Sequence, residues 1–275
     1  MLRFTAIYLF FNKNSGNPQE KIIYNFRKKG AFMAKKIYIG SLKGGTGATT
    51  VCVGLGLALA DSGERILIVD GDSMSAGGMI VAGLGNMQVY TLADYSKAAC
   101  RAKQAACAHP KAENLHIMPT LGLKDKSVIG KAVSEVEGLY DYILLDRAAT
   151  EICDEAIIVT EPYLPSVKSA DCSKAVLCDG GIKGISLIVN KLNGGQVANG
   201  EVFSAEQIAK ILRLKLVAVI PEDPTISIGK WRKQTVNAFK VAAQTLSGKN
   251  GDLYNVLRGY TGLSGMIKRK MRAKI

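Results

Sequence analysis

The sequence predicts an α/β fold, a doubly wound and mostly parallel sheet with helices on both faces. Three observations carry this. From Lys35 onward short β-branched runs alternate with helical stretches; almost every run is apolar on both faces, as burial between two helix layers requires; and a glycine-rich loop joins the first run to the first helix. The composition agrees: 48% hydrophobic and 21% charged residues over 275 positions describe an ordinary globular chain and exclude disordered, collagenous and disulfide-miniprotein classes. A chain of this length buries roughly three quarters of its unfolded surface without a metal or a bridge.

Taken in order, the strand-like runs are 35–41 (KKIYIGS), 65–71, 115–119, 141–146, 155–160, 185–190 and 215–220. Helices are expected over 49–61, 91–107, 126–138, 166–178, 204–213 and 235–247. Ser166 and Ser204 are expected as N-caps, since a hydroxyl there accepts from an orphan N–H of the first turn. No repeat of fixed period and no Pro- or Ser-rich linker interrupts the pattern, so one domain is expected over 33–257. The six cysteines include no C-x-x-C pair, and they read as buried thiols rather than metal ligands.

The net charge of +13 is concentrated at the two ends. Residues 1–32 hold six Lys/Arg against one acid, residues 258–275 hold six against none, and the body is nearly balanced at 24 against 22. An electrostatic partner is therefore expected at the ends and not over the whole fold. The apolar run from Phe4 to Phe11 is eight residues long and lacks a small-residue cleavage site, far short of the roughly 20 that a spanning helix needs. A cytoplasmic location is expected, with peripheral attachment to the inner face of the cell membrane as its extension. Residues 12–30 lack usable periodicity, and Lys28 to Phe32 back-translates to include a ribosome-binding AAGGAG ahead of Met33. Translation is expected to start at Met33, with 1–32 as upstream sequence or a disordered extension; a full-length intact mass from the native source would refute the first.

The most informative text is SLKGGTGATTVCVGLGLALA, 41–60, where a strand runs into a glycine-rich loop that opens a helix. In that setting backbone N–H groups and the helix dipole converge on an anion. Gly44, Gly45 and Gly47 let the backbone approach a phosphate, and Thr49 can offer its hydroxyl to Mg²⁺. KGGTGATT resembles the deviant Walker A motif, KGGxGKT[ST], of the MinD/ParA family of P-loop ATPases. IVDGD (68–72) is similar to that family's switch I strand end, DYILLD (141–146) to its Walker B strand, and 154–177 to its MinD-type stretch after switch II. LIVNKL (187–192) and VIPEDP (219–224) are similar to its two base-contacting segments.

This resemblance implies ATP and Mg²⁺ as cofactors. The nucleotide would be bound by Lys43, Gly44, Gly45, Thr46, Gly47, Ala48, Thr49 and Thr50, with Asn190, Pro221 and Asp223 lining the adenine pocket. Lys43 would be the signature lysine that reaches across an ATP-sandwich homodimer. Thr49 and Asp146 would serve Mg²⁺, and Asp72 would position the attacking water beside Asp70. The alternative for Asp70 and Asp146 is a capping or turn carboxylate at a strand end.

Three departures bear on activity. Ala48 stands where the family has the lysine that bridges β- and γ-phosphates, a loss expected to cost on the order of 10² to 10³ in rate. Asp146-Arg147-Ala148-Ala149-Thr150 lacks the Pro and Gly of the family's D-x-P-A-G switch II, and Ser73–Gly78 replaces the charged switch I continuation. Together they imply nucleotide binding with weak or absent hydrolysis. Arg147 could swing toward the phosphates, but the reading adopted is a surface arginine or one paired with Glu151.

In the C-terminal stretch Leu263, Ile267, Met271 and Ile275 share one helical face and five cations fill the other. Such a helix lies in a membrane interface, and anionic lipid contributes about 1 kcal/mol per cation. It resembles the MinD membrane-targeting tail with less aromatic and leucine content. A solvated end, a nucleic-acid contact and a partner-docking helix remain open. His109 and His116 match no metal spacing and read as a loop leading into the third strand. Lys230–Lys233 reads as a solvated helix end with Trp231 partly buried.

The expected function is a MinD-like ATP-binding spatial organiser of cell division or of a membrane-associated apparatus, working with an unidentified protein partner. The alternatives are a ParA-type DNA partition ATPase, disfavoured by the near-neutral body, and a non-hydrolysing scaffold of the pilus-localisation type.

Overall fold

The computed structural model describes residues 33–87, 89–249, 252–258 and 260. The extension 1–32 and the tail residues Leu263, Ile267, Met271 and Ile275 lie outside them. Eight strands form one sheet: β1 (Lys35–Gly40), β2 (Ile66–Asp70), β3 (Cys107–His109), β4 (Ala112–Pro119), β5 (Tyr142–Asp146), β6 (Glu155–Thr160), β7 (Gly184–Leu192) and β8 (Lys215–Pro221). Their order is β3-β4-β2-β5-β1-β6-β7-β8, all parallel except the edge strand β3, which runs antiparallel to β4. The helices are α1 (Ala48–Asp61), α2 (Gly77–Val81), α3 (Leu92–Ser96), α4 (Ala102–Ala105), α5 (Val128–Val136), α6 (Leu164–Asp179), α7 (Gly194–Ala198), α8 (Ala205–Leu212) and α9 (Lys233–Leu246).

The period-2 alternation of the strands feeds two helix layers, as the doubly wound reading expects. In β2, Ile66 and Ile68 face the core under α1 and α9, while Leu67 and Val69 face the core shared with α5. A third cluster joins Ile158, Leu187 and Val189 to α6 and α8. Helix α1 is buried almost all round, and two glycines allow it. A Cβ on Gly56 would meet Ile68 Cδ1 at 2.7 Å, and one on Gly54 would meet Phe239 Cζ at 2.5 Å, so each face of the helix sits one methyl closer to its neighbour than alanine permits. β1 is the central strand where connections diverge to either side, and ligands of open α/β sheets bind at the carboxyl edge of that point.

Several expectations are corrected. The 91–107 helix breaks at Ala98, which takes a left-handed φ of 57°, into α3 and α4, and Cys107 pairs with Ile117 across β3 and β4. Tertiary pairing overrides the helix preference of this alanine-rich text. Ser166 is not a cap: Pro165 suits the first turn, so α6 starts at Leu164 and carries Ser166 inward. Ser204 does cap α8, accepting from Gln207 N at 3.2 Å. Among the cysteines only Cys52 is buried, and Cys172 and Cys178 are exposed on α6. The histidines lie in strands rather than a loop, and His109 Nδ1 accepts from the Ala112 and Lys111 amides to tie the β3–β4 turn. Trp231 is buried, its ring tilted by 45° against Phe239 at a centroid distance of 5.3 Å.

Candidate functional site

The loop that follows β1 is held by its backbone and by β7. Gly45 and Gly47 adopt φ of 82° and 83°, a region that costs other residues roughly 1 kcal/mol or more. A Cβ on Gly44 or Gly45 would meet nothing within 4 Å, so that side of the loop is an open cradle. On the other side a Cβ at Gly47 would run into the Asn190 amide, whose Nδ2 donates to the Thr46 carbonyl at 2.8 Å. Ala48 then opens α1 and is buried, with Thr49 and Thr50 half-buried behind it.

Four carboxylates gather at the carboxyl edge of the sheet. Asp146, at the end of β5, accepts from the Thr49 hydroxyl at 2.6 Å. Burial pushes its pKa up from 3.8 to about 6, against the opposing pull of Thr49 and Arg147. Asp70, at the end of β2, accepts from the Asp72 and Gly78 amides and is also raised by burial. Asp72 turns back on its own loop, taking the Ser75 hydroxyl and the Met74 and Ser75 amides, which hold its carboxyl below the ordinary range. Glu161 closes β6 and receives two lysines: Lys43 Nζ on Oε2 and Lys191 Nζ on Oε1, each at 2.8 Å. Burial pushes Glu161 upward, but the hydrogen bonds from Lys191, Lys43 and Ser166 outweigh it and hold the carboxyl below its usual value.

The expected residues do not all converge. Lys43, Gly44, Gly45, Thr46, Gly47, Ala48, Thr49, Thr50, Asp146 and Asn190 share the loop and its floor, with Asp72 across α2 from Thr49. Pro221 lies opposite Leu192 at the end of β8. The Asp223 carboxylate is spent on structure, accepting from Thr225 N and Oγ1, Arg232 N and Thr235 Oγ1.

Three residues of the site, Ser166, Lys191 and Glu161, escaped the sequence reading, and a fourth, Arg147, was given another partner. Ser166 donates to Glu161 and accepts from Lys43 at 2.8 Å, and Lys191 also donates to the Gly45 carbonyl at 2.6 Å. Glu161 was legible only as a third acid closing a strand. Arg147 is exposed, as the surface reading expects, but its partners are Thr49 and Asp146 rather than Glu151: its Nη2 donates to Thr49 Oγ1 at 3.2 Å and its Nε to Asp146 Oδ1 at 3.4 Å. Arg147 takes a left-handed φ of 54°.

The Thr49 hydroxyl and Asp146 carboxylate are hard oxygen donors of the kind Mg²⁺ takes, with water and phosphate completing its shell. The pair fits the ion in donor chemistry. Among the described residues no cluster of three or more His, Cys, Asp or Glu could hold a metal alone.

A parallel sheet with a glycine-rich loop between its central strand and a buried helix defines the P-loop nucleotide-binding class. The family described as the CobQ/CobB/MinD/ParA nucleotide binding domain matches residues 37–236, and the chain belongs to it. It is 32% identical to the septum site-determining protein MinD of Thermotoga maritima over 212 residues, 71% of this chain and 78% of that one. Among solved structures, the MinC:MinD cell division complex of Aquifex aeolicus aligns at a TM-score of 0.74 and 27% identity, covering 81% of this chain and 99% of that one. The Pyrococcus horikoshii MinD complexed with Mg-ADP aligns at 0.68 and 27%, covering 78% and 96%.

Proposed function

We propose that this chain is a MinD-like, ATP-binding spatial organiser of cell division or of a membrane-associated apparatus, cycling through a nucleotide-dependent homodimer with weak or absent hydrolysis. The observation that carries the reading is the loop itself, an open glycine cradle backed by Thr49 and Asp146, with alanine at 48. The cradle can bind phosphate through backbone N–H groups, while the cation that speeds phosphoryl transfer is absent from the loop. When bound, Mg²⁺ would supply charge neutralisation at the phosphates, held by Thr49 directly and by Asp146 through water. Asn190 and Pro221 would border the base, and Asp223 would act by holding the β8–α9 turn.

Exposed Leu42 precedes Lys43, and exposed Tyr163 and Leu164 lie in the chain between Glu161 and Ser166, the two partners of that lysine; such apolar side chains support association through this edge. No helix among the described residues is long and apolar enough to cross a membrane. The segment after α9 returns to the same edge of the sheet, where Tyr260 packs against Gly194 just past β7. The domain is taken as 33–257 with a basic tail from 258, of which Tyr260 still packs on the domain. Two tails in one dimer bind a surface better than one, by effective concentration.

Calorimetry of the full chain with Mg-ATP, with light scattering and phosphate release on the same sample, tests the reading. Binding, dimerisation and slow turnover are expected. Failure to bind at millimolar ATP would overturn it in favour of a scaffold, and equal retention on anionic vesicles with and without ATP would remove the membrane step.

A further inference from the structure

Three cations surround the loop, and they are not equivalent. Lys43 and Lys191 are both committed to Glu161, and Lys191 also ties the Gly45 carbonyl. Arg147 is held loosely. Its two contacts, to Thr49 and Asp146, are long, and 41% of its side chain is exposed. Its backbone is fixed instead: the N–H donates to Ile39 O at 3.0 Å, near the end of β1, and from there the guanidinium reaches Thr49 in the first turn of α1. A guanidinium with five donors in a fixed fork gains when it exchanges one-sided contacts for a bidentate phosphate.

We propose that Arg147 is the phosphate-binding cation of this site, supplying from the end of β5 the charge that Ala48 withholds from the loop. On binding a nucleoside triphosphate the guanidinium leaves Thr49 and Asp146 for the phosphates, which frees that hydroxyl–carboxylate pair. In the free protein the same guanidinium partly neutralises Asp146. The inference rests on the nucleotide-binding reading above.

The test is calorimetry of the full chain with ATP and with adenosine, each in Mg²⁺ and in EDTA, for the parent, Arg147→Ala, Arg147→Lys and the double variant Ala48→Lys/Arg147→Ala. Arg147→Ala is expected to weaken ATP by about tenfold to a hundredfold, the worth of a charge-assisted hydrogen bond, and to leave adenosine unchanged. Arg147→Lys should recover part of the loss, and a lysine at 48 should recover most of it. If the buried position 48 rejects lysine, Arg147→Lys alone carries the rescue. An Arg147→Ala protein that binds ATP like the parent overturns this inference and leaves the nucleotide reading standing. Equal loss of ATP and adenosine overturns it too, by marking a structural role. A parent that binds no ATP removes both.

Discussion

Glu161 holds Lys43 in place within one chain, with Nζ 2.8 Å from Oε2 and the carboxylate nearly buried. The same carboxylate takes Lys191 on its other oxygen, so one acid fixes two cations and, through Lys191, the Gly45 carbonyl. A lysine that is to reach a partner's phosphate must first leave this pair, and arriving phosphate competes for it by charge.

Glu161→Gln removes the anchor while keeping its shape. Both lysines are about two-fifths exposed, which discounts the pair for solvent screening. A loss of about 1 kcal/mol is expected in urea unfolding at pH 7. Because the folded carboxyl lies below its ordinary value of 4.5, the deficit is complete above that value and vanishes as the pH falls through the folded one. On the proposed reading, the variant dimerises at lower protein concentration in ATP.

Asp146 has the opposite sign. Its folded pKa of about 6 stands above 3.8, so the fold binds a proton more readily than the unfolded chain, and the parent loses stability as the pH rises between those values. Asp146→Asn is expected to stabilise the nucleotide-free protein by about 1–3 kcal/mol at pH 7, from roughly two pK units of mismatch less the lost Arg147 contact. The gain should shrink toward pH 4 in parallel denaturation curves. Unchanged stability at pH 7 would contradict the burial of this charge.

Gly54→Ala tests the seam between α1 and α9. The added methyl would press on Phe239 and come within 2.7 Å of Trp231 Cζ3, and overpacking of this kind costs about 1–3 kcal/mol. Trp231 is the chain's one tryptophan, so its fluorescence reports directly on the seam. A lower urea midpoint and a red-shifted native emission are expected.

Asp223→Ala leaves three donors without their acceptor, the Thr225 and Arg232 amides and the buried Thr235 hydroxyl, while the Thr225 hydroxyl keeps the Lys230 carbonyl. A cost of about 2–4 kcal/mol is expected. Hydrogen exchange should rise first in the Pro224–Ile228 turn and the start of α9. A stable variant that had lost only adenine affinity would return Asp223 to the base pocket.

Much of this molecule was legible in one dimension. The seven longer strands follow from apolar runs of the right length, because a strand buried between two helix layers has few polar positions to hide. The loop was legible because left-handed backbone at a strand-to-helix turn demands glycine; Thr49 was named from its place at the helix start, and Asp146 from the resemblance of 141–146 to a Walker B strand. Edge strand β3 was not, since three residues of alanine-rich text pair with β4 only once β4 has a place in the sheet.

The sequence by itself determined the layered fold, the phosphate loop and the absence of a lysine at 48. Tertiary structure alone decided which cations face that loop. Lys43, Lys191, Arg147 and Glu161 come from four separate strand ends, and their meeting depends on strand order and on the backbone twist at two left-handed residues, Arg147 and Lys191. Spacing along a chain carries the period of an element, but the neighbours of a strand end are set by how the sheet is wound, which no local pattern encodes.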